Sequence, residues 1–306
     1  MRGYAALREA AGWLELPGRG KIRVAGEDRA RLLHAMTTNH IQQLTAGTGC
    51  YAFFLTTQGR ILADVNVFCL PDSFLLDTEP ETAQVVYSHL DKYIIADDVT
   101  LEDLTPQLTT ISLEGPQAGA VLTAMGAPEP QAAYEHVEWQ DRRVARISET
   151  AFFIIMSTEK LDVVVEELER AGATAADAQA YRAVRLEHGK PRYGEDISQR
   201  FLAQEANQPQ AVHFQKGCYL GQEIVERVRS RGQVHRLLIP IEIDSTIVPA
   251  AGTKLPWGEI TSAAFSPALG KVVALAYVRT ELAKAGTELA LGEAQVHVKP
   301  FVPMQI

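Results

Sequence analysis

The hydrophobic pattern of the chain changes near residue 233, and this change limits the architectures open to it. Before that point, short strand patterns are interleaved with helix-period patterns. From Arg236 onward, short strand patterns alternate with Gly/Pro turns and no helix-length pattern occurs. The sequence therefore predicts a mixed α+β module over residues 1–232 and an all-β unit, a small barrel, over residues 233–306.

The first module contains two successive sets of strands and helices. A helix pattern over 27–44 precedes strand patterns over 50–56 and 61–70. A second set of the same kind begins at Leu108 and includes a long helix over 159–171. Two interleaved α+β subdomains that share residues 1–232 explain this order.

Composition and charge narrow the classes of function. The chain has 306 residues and a formal net charge of −9, which argues against a broad nucleic-acid surface. Its three cysteines form no C-x-x-C motif and its histidines are scattered, so we expect no self-contained metal site. No apolar run approaches the ~20 residues that span a membrane. The odd cysteine count and the absence of a signal-peptide pattern predict a reducing cytoplasm.

The run Lys216–Glu223 (KGCYLGQE) concentrates reactive chemistry in one short segment. Its two glycines allow positive φ angles and close approach of a ligand. Cys218 lies just before a helix predicted to start at Gln222, where unpaired amides and the Lys216 cation favour a thiolate. The alternative is a small packed cysteine in a tight turn.

Asp64 is the second candidate, because it interrupts the otherwise apolar strand pattern of residues 61–67. Burial would raise the pKa of this carboxyl and suit it to act as a base or as an electrostatic partner of a ligand amine. The alternative is that strand alternation points Asp64 into solvent.

The Lys216–Glu223 run resembles the signature of the YgfZ family, folate-binding proteins related to the aminomethyltransferase (T protein) of the glycine cleavage system. Four further segments resemble segments of this family in the expected order, so that the resemblance spans nearly the whole chain. They are residues 32–39 (LLHAMTTN), 59–64 (GRILAD), 185–195 (RLEHGKPRYGE) and 260–267 (ITSAAFSP).

The resemblance implies a T-protein-like fold with three domains around a central channel that holds tetrahydrofolate. It also implies a role in iron-sulfur cluster assembly or repair, with iron-sulfur proteins or assembly factors as partners and tRNA-modifying enzymes among those supported. The implied catalytic residues are Cys218, Lys216 and Asp64. The implied folate-binding residues are Asp64, Glu187, Glu195, Gly217, Tyr219 and Gln222. Arg227 is a further candidate, because it shares a helix face with Arg231 that could meet the carboxylates of a folate. The alternative is a solvated cationic helix end.

The sequence departs from the aminomethyltransferases at two acidic positions. Ala63 replaces one member of an acidic pair, so only Asp64 remains. In the segment that holds the pterin ring, the second acid is replaced near Ile154. Loss of a carboxylate would leave pterin N–H donors unpaired, so folate must be held differently. A true aminomethyltransferase and a non-enzymatic interaction module, in which Cys218 is merely packed, are the alternative functions.

Overall fold

The structure is a computed structural model that describes residues 1–232 and 234–301. Gln233 and residues 302–306, which belong to the predicted barrel unit, lie outside the described residues. The first elements are α1 (Tyr4–Glu9), β1 (Gly12–Glu15), β2 (Gly20–Ala25), α2 (Arg29–Met36), β3 (Gly49–Leu55), β4 (Ile61–Cys69), β5 (Ser73–Thr78), α3 (Ala83–Tyr93) and β6 (Thr100–Asp103). Strands β2 to β6 form an antiparallel sheet in the order β3-β4-β5-β2-β6.

A second sheet takes its strands from both ends of the α+β module. The next elements are β7 (Leu108–Glu114), α4 (Ala118–Ala124), β8 (His136–Trp139), β9 (Arg142–Ser148), β10 (Ala151–Ser157), α5 (Leu161–Arg170), β11 (Thr174–Ala175) and α6 (Ala178–Glu187). The sheet order is β11-β1-β7-β10-β9-β8. Because β1 pairs with β7 and β11, the chain starts in this sheet, leaves to build the first one and then returns.

The two sheets pack face to face, and helices cover their outer faces. Phe68 and Leu75 of the first sheet meet Phe153 and Ile155 of the second in one buried cluster. On the outer sides, α2 and α3 pack on the first sheet, and α4 and α5 pack on the second. Alternate residues along a strand therefore pack into two cores, one between the two sheets and one between a sheet and its helices.

The C-terminal part is one six-stranded antiparallel sheet that curls into a barrel-like unit. It follows α7 (Gln222–Arg231), and its strands are β12 (Arg236–Ile243), β13 (Lys254–Leu255), β14 (Gly258–Ser266), β15 (Lys271–Arg279), β16 (Glu288–Leu291) and β17 (Ala294–Val298). The strand order is β13-β14-β15-β12-β17-β16. Trp257, in the turn between β13 and β14, donates from Nε1 to the Ala290 carbonyl of β16 at 2.8 Å and so links the two ends of the sheet. The predicted α+β fold with a C-terminal barrel is confirmed.

Buried polar contacts attach the barrel-like unit to the α+β module. Asp196 Oδ1 accepts hydrogen bonds from the Thr261 and Ser262 hydroxyls at 2.6 and 2.5 Å. Its Oδ2 accepts one from Arg185 at 2.7 Å. Because Asp196 is fully buried, these partners supply the hydrogen bonds that water would otherwise donate to its carboxylate.

Most predicted helices and strands are present with small shifts of their ends, but the helix predicted over 27–44 ends at Met36. Thr37 is extended, and its hydroxyl donates to the Leu33 carbonyl at 2.8 Å. Thr37 also forms a bridge with Phe54. The bridge to Phe54 holds Thr37 in β geometry, which suits a β-branched residue, and so ends the helix there. None of the helices in the described residues is long and apolar enough to cross a membrane.

Candidate functional site

A cavity of about 550 Å³ lies where both sheets of the α+β module, helix α6 and the C-terminal segment meet. Its lining includes Glu15 at the end of β1, Asp64 on β4, Phe153 on β10, Arg182 on α6 and Phe301. This volume and the mixture of apolar walls with polar groups are typical of a site for a small organic ligand.

Three carboxylates line the cavity without a cationic partner among the residues that the structure describes: Glu15, Asp64 and Glu114. Each accepts one hydrogen bond from a neighbouring hydroxyl. The donors are Thr109, Tyr51 and Ser112, at 2.9, 2.9 and 2.8 Å respectively. One hydroxyl bond leaves most of the acceptor capacity of a carboxylate unused, so all three can receive N–H groups of a ligand.

Asp64 has a strongly perturbed carboxyl group. The side chain is on the face of β4 opposite Ala63, which is fully buried in the core under α2 and α3. Asp64 is only 9% exposed. Burial, with a smaller effect from nearby Glu79, raises the pKa of Asp64 to about 7. A carboxyl group with this pKa can exchange a proton with a ligand near neutral pH.

Basic side chains line the cavity along α6 and the loop that follows it. Arg182 and Arg185 both donate to Glu195, at 2.5 and 3.0 Å. Lys190 has no carboxylate within ion-pair distance among the described residues, and its Nζ lies 3.4 Å from the Ser148 hydroxyl. This ammonium is therefore available for an anionic group of a ligand.

Of the residues predicted from sequence, the structure brings Asp64 and Glu195 together at the cavity wall. Glu187 instead accepts hydrogen bonds from Tyr4 and Arg8 and ties α1 to α6. The remaining predicted residues are absent from the cavity lining. They are Lys216, Gly217, Cys218, Tyr219, Gln222 and Arg227.

The signature loop that contains Cys218 is docked on the C-terminal end of α2 instead. Lys216 Nζ donates to the carbonyls of His34 and Thr37, both at 2.5 Å, and so satisfies acceptors that the helix end leaves open. Burial lowers the pKa of Lys216 to about 7. Cys218 itself is exposed. It does not line the cavity, and the Lys216 contacts hold its loop at the surface. Its catalytic role stays a prediction.

The two glycines of the signature loop have different structural roles, which gives a matched test. Gly221 has φ 83°, and a Cβ there would lie 2.5 Å from the Thr56 carbonyl oxygen. Gly217 has no positive φ, and a Cβ there would meet open space. We expect Gly221→Ala to lower the free energy of unfolding by about 1–3 kcal/mol and Gly217→Ala to change it little. Urea denaturation measures both, and equal losses would contradict the assignment.

No group of three or more His, Cys, Asp or Glu side chains within residues 1–232 and 234–301 is arranged to hold a metal ion. The three cysteines are free thiols: Cys50 and Cys69 are partly or fully buried, and Cys218 is exposed. Burial raises the pKa of the Cys50 thiol to about 12, so this group stays protonated at neutral pH.

Several cavity residues were missed by sequence analysis, chiefly Glu114, Tyr51 and Arg19. Glu114 ends β7 directly before Gly115. An acid at that place is typical of a solvated turn, whereas here it is buried. An acid at the end of a strand, directly before a glycine, was the one available signal for it.

Comparison with known proteins agrees with this architecture. Residues 2–216 match the model of the GCVT N-terminal domain, and residues 238–302 match the glycine cleavage T-protein C-terminal barrel domain. The aminomethyltransferase T of the glycine cleavage system from Bartonella henselae has the same fold, with a TM-score of 0.87 at 23% identity over 99% of this chain and 89% of that chain.

Curated relatives are similar at a low level of identity. A putative chloroplastic transferase of Arabidopsis thaliana is 27% identical over 90% of this chain, which spans 66% of that relative's length. Aminomethyltransferases of Chloroherpeton thalassium and a Nostoc species are 25% and 28% identical over 98% of this chain and 89% and 84% of their own lengths. Because the two domain models together match most of its residues, the chain belongs to the glycine cleavage T-protein family.

Proposed function

We propose that this protein binds tetrahydrofolate or a one-carbon derivative in the central cavity. The observation that carries the proposal is the set of three carboxylates, Glu15, Asp64 and Glu114, which line the cavity with spare acceptor capacity. A pterin ring presents N–H donors that such carboxylates can accept. The Lys190 ammonium and the arginines of α6 suit the carboxylates at the other end of a folate.

Glu114 is our candidate for the acid that sequence comparison found missing near Ile154. Ile154 is fully buried in the core beneath α4 and α5, while its neighbour Phe153 lines the cavity. Glu114 is on the adjacent strand, paired in register with Ala151. The Glu114 carboxylate, on the strand next to β10, thus accepts pterin N–H groups in place of the missing acid, in the same region of the cavity wall.

The experiment is a calorimetric titration of the reduced protein with tetrahydrofolate. We expect the wild type to bind and Glu114→Gln to bind about 10- to 100-fold more weakly, because it loses a charge-assisted hydrogen bond of roughly 1.5–3 kcal/mol. Glu149→Gln is the matched control, since Glu149 is exposed and outside the cavity. Absence of binding by the wild type would refute the proposal. A larger effect at Glu149 would refute the role of Glu114.

We further propose that the protein acts in the manner of the YgfZ family and supports iron-sulfur enzymes, including those that modify tRNA. The support is the KGCYLGQE run, which resembles the signature of that family. Its thiol is exposed and so accessible to a protein partner. The three free cysteines of the protein fit a reducing compartment such as the cytoplasm. Iron-sulfur enzyme activity in cells that lack this protein is the relevant assay, and unimpaired activity would contradict this role.

A glycine cleavage aminomethyltransferase is the second candidate. It is favoured by curated relatives of that name, which are similar over nearly the whole chain. The altered acidic pair argues against it, because Ala63 replaces one of the two acids of the aminomethyltransferases. Turnover in a reconstituted glycine cleavage reaction would establish this candidate over the YgfZ-type role. Failure to bind any folate would favour an interaction module.

A further inference from the structure

Tyr134 is a cavity-lining residue whose side chain is not satisfied by the protein. It precedes β8, is 3% exposed and contributes to the cavity wall. Its hydroxyl is buried without a hydrogen-bond partner, and it is the one such atom among the lining residues in the part of the chain that the structure describes. A buried hydroxyl without a partner destabilises a folded protein, so its retention needs an explanation.

The backbone at Tyr134 is also in a costly conformation. Its φ of 61° is in the left-handed region, which aromatic residues rarely adopt. Its N–H donates to the Arg146 carbonyl at 2.7 Å, and its ring packs in the same cluster as Phe68 and Phe153. Gly49 leaves room for this arrangement, since a Cβ there would lie 2.9 Å from the Tyr134 carbonyl oxygen. Strained residues held by their surroundings in this way are concentrated at functional sites.

The Tyr134 hydroxyl supplies a hydrogen-bond donor, which the ionised carboxylates of the cavity wall lack. Burial, and then the nearby Cys50 and Asp64, raise the pKa of Tyr134, so the group stays protonated and can donate. The Tyr51 hydroxyl is already committed to Asp64 at 2.9 Å. Ionised carboxylates only accept hydrogen bonds, whereas the edge of a pterin alternates donors with acceptors.

We propose that the Tyr134 hydroxyl recognises the ligand of this cavity by donating a hydrogen bond to an acceptor atom on the pterin edge of a reduced folate that docks beside Asp64. This inference rests on the proposed function. It assigns to Tyr134 the donor that complements the acceptors of the carboxylate wall.

The test compares Tyr134→Phe with Tyr277→Phe. Tyr277 is the matched control because its hydroxyl is also buried without a partner, but it stacks on Phe201 at 3.7 Å between centroids, outside this cavity. Calorimetric titration with tetrahydrofolate should show about tenfold weaker binding by Tyr134→Phe and unchanged binding by Tyr277→Phe. Thermal unfolding without ligand should show melting temperatures equal to or above that of the wild type for both variants, since each loses an unpartnered hydroxyl.

The outcomes separate this inference from the proposed function. Binding by the wild type with equal affinity in Tyr134→Phe would overturn the inference and leave folate binding intact. A lower melting temperature for Tyr134→Phe would also overturn it, because the hydroxyl would then have a protein partner. If the wild type does not bind tetrahydrofolate, both the proposed function and this inference fail.

Discussion

Replacement of Asp77 by alanine should lower the free energy of unfolding by about 3–5 kcal/mol, the largest loss that we expect from a single substitution. Asp77 is fully buried beside the cavity wall. It accepts from Arg19 Nη2 at 2.6 Å, pairs with Lys21 Nζ at 2.8 Å and accepts from Asn66 at 2.9 Å. These cations hold the pKa of Asp77 well below its usual range. Its removal leaves Lys21 buried as an unpaired cation, and burial already lowers the pKa of that amine.

Urea denaturation at neutral pH measures this effect, with Asp72→Ala as the control. Asp72 pairs with Arg23 at 3.0 Å in the turn before β5, but both groups are exposed. Solvent and salt screen such a pair, so its loss should change stability little. If the two variants unfolded at the same urea concentration, the buried network would contribute no more than a surface pair.

Replacement of Asp64 by asparagine should stabilise the unliganded protein at pH 8 and weaken ligand binding. The folded-state pKa of about 7 lies above the ordinary aspartate value of 3.8. Folding therefore favours the protonated form of Asp64. The contribution of this protonated group to the free energy of unfolding is complete below about pH 4 and is lost as pH rises through about 7. Asparagine removes that loss, so we expect a gain of about 2–4 kcal/mol at pH 8 that disappears near pH 4.

Denaturation of both proteins across this pH range measures the difference. Asp162→Asn on α5 is the control, since Asp162 is exposed. A constant difference between Asp64→Asn and the wild type at all pH values would show that the carboxyl does not titrate in this range. Greater stability with poorer binding is the expected signature of a group retained for function.

The sequence was sufficient to predict the α+β fold with its C-terminal barrel and most of the strands, because these follow from local hydrophobic periodicity. It also singled out Asp64, since an acid within an apolar strand must either turn outward or occupy a special environment. It could not locate the cavity. The wall combines Glu15, Asp64, Glu114 and Phe301, which are far apart in sequence and meet only through the pairing of β1 with β7 and the packing of the two sheets.

In the signature loop, the sequence indicated a site that the structure does not place at the cavity. A thiol, a cation and two glycines in eight residues indicated a ligand site, but the structure uses Lys216 to bond the loop to the end of α2 and Gly221 to approach Thr56 closely. Residue types alone do not distinguish a lysine that activates a thiol from a lysine that caps a helix. The distinction depends on which carbonyls lie within reach of the ammonium group.

The placement of β1 in the second sheet has a consequence for synthesis of the protein. Strand β1 leaves the ribosome early, but its partner strands β7 and β11 begin only at residues 108 and 174. The first sheet can therefore form during translation while the N-terminal strand waits without its partners. A cut between residues 104 and 108 would not release two independent folding units, because the earlier fragment would carry away a strand that the later one requires.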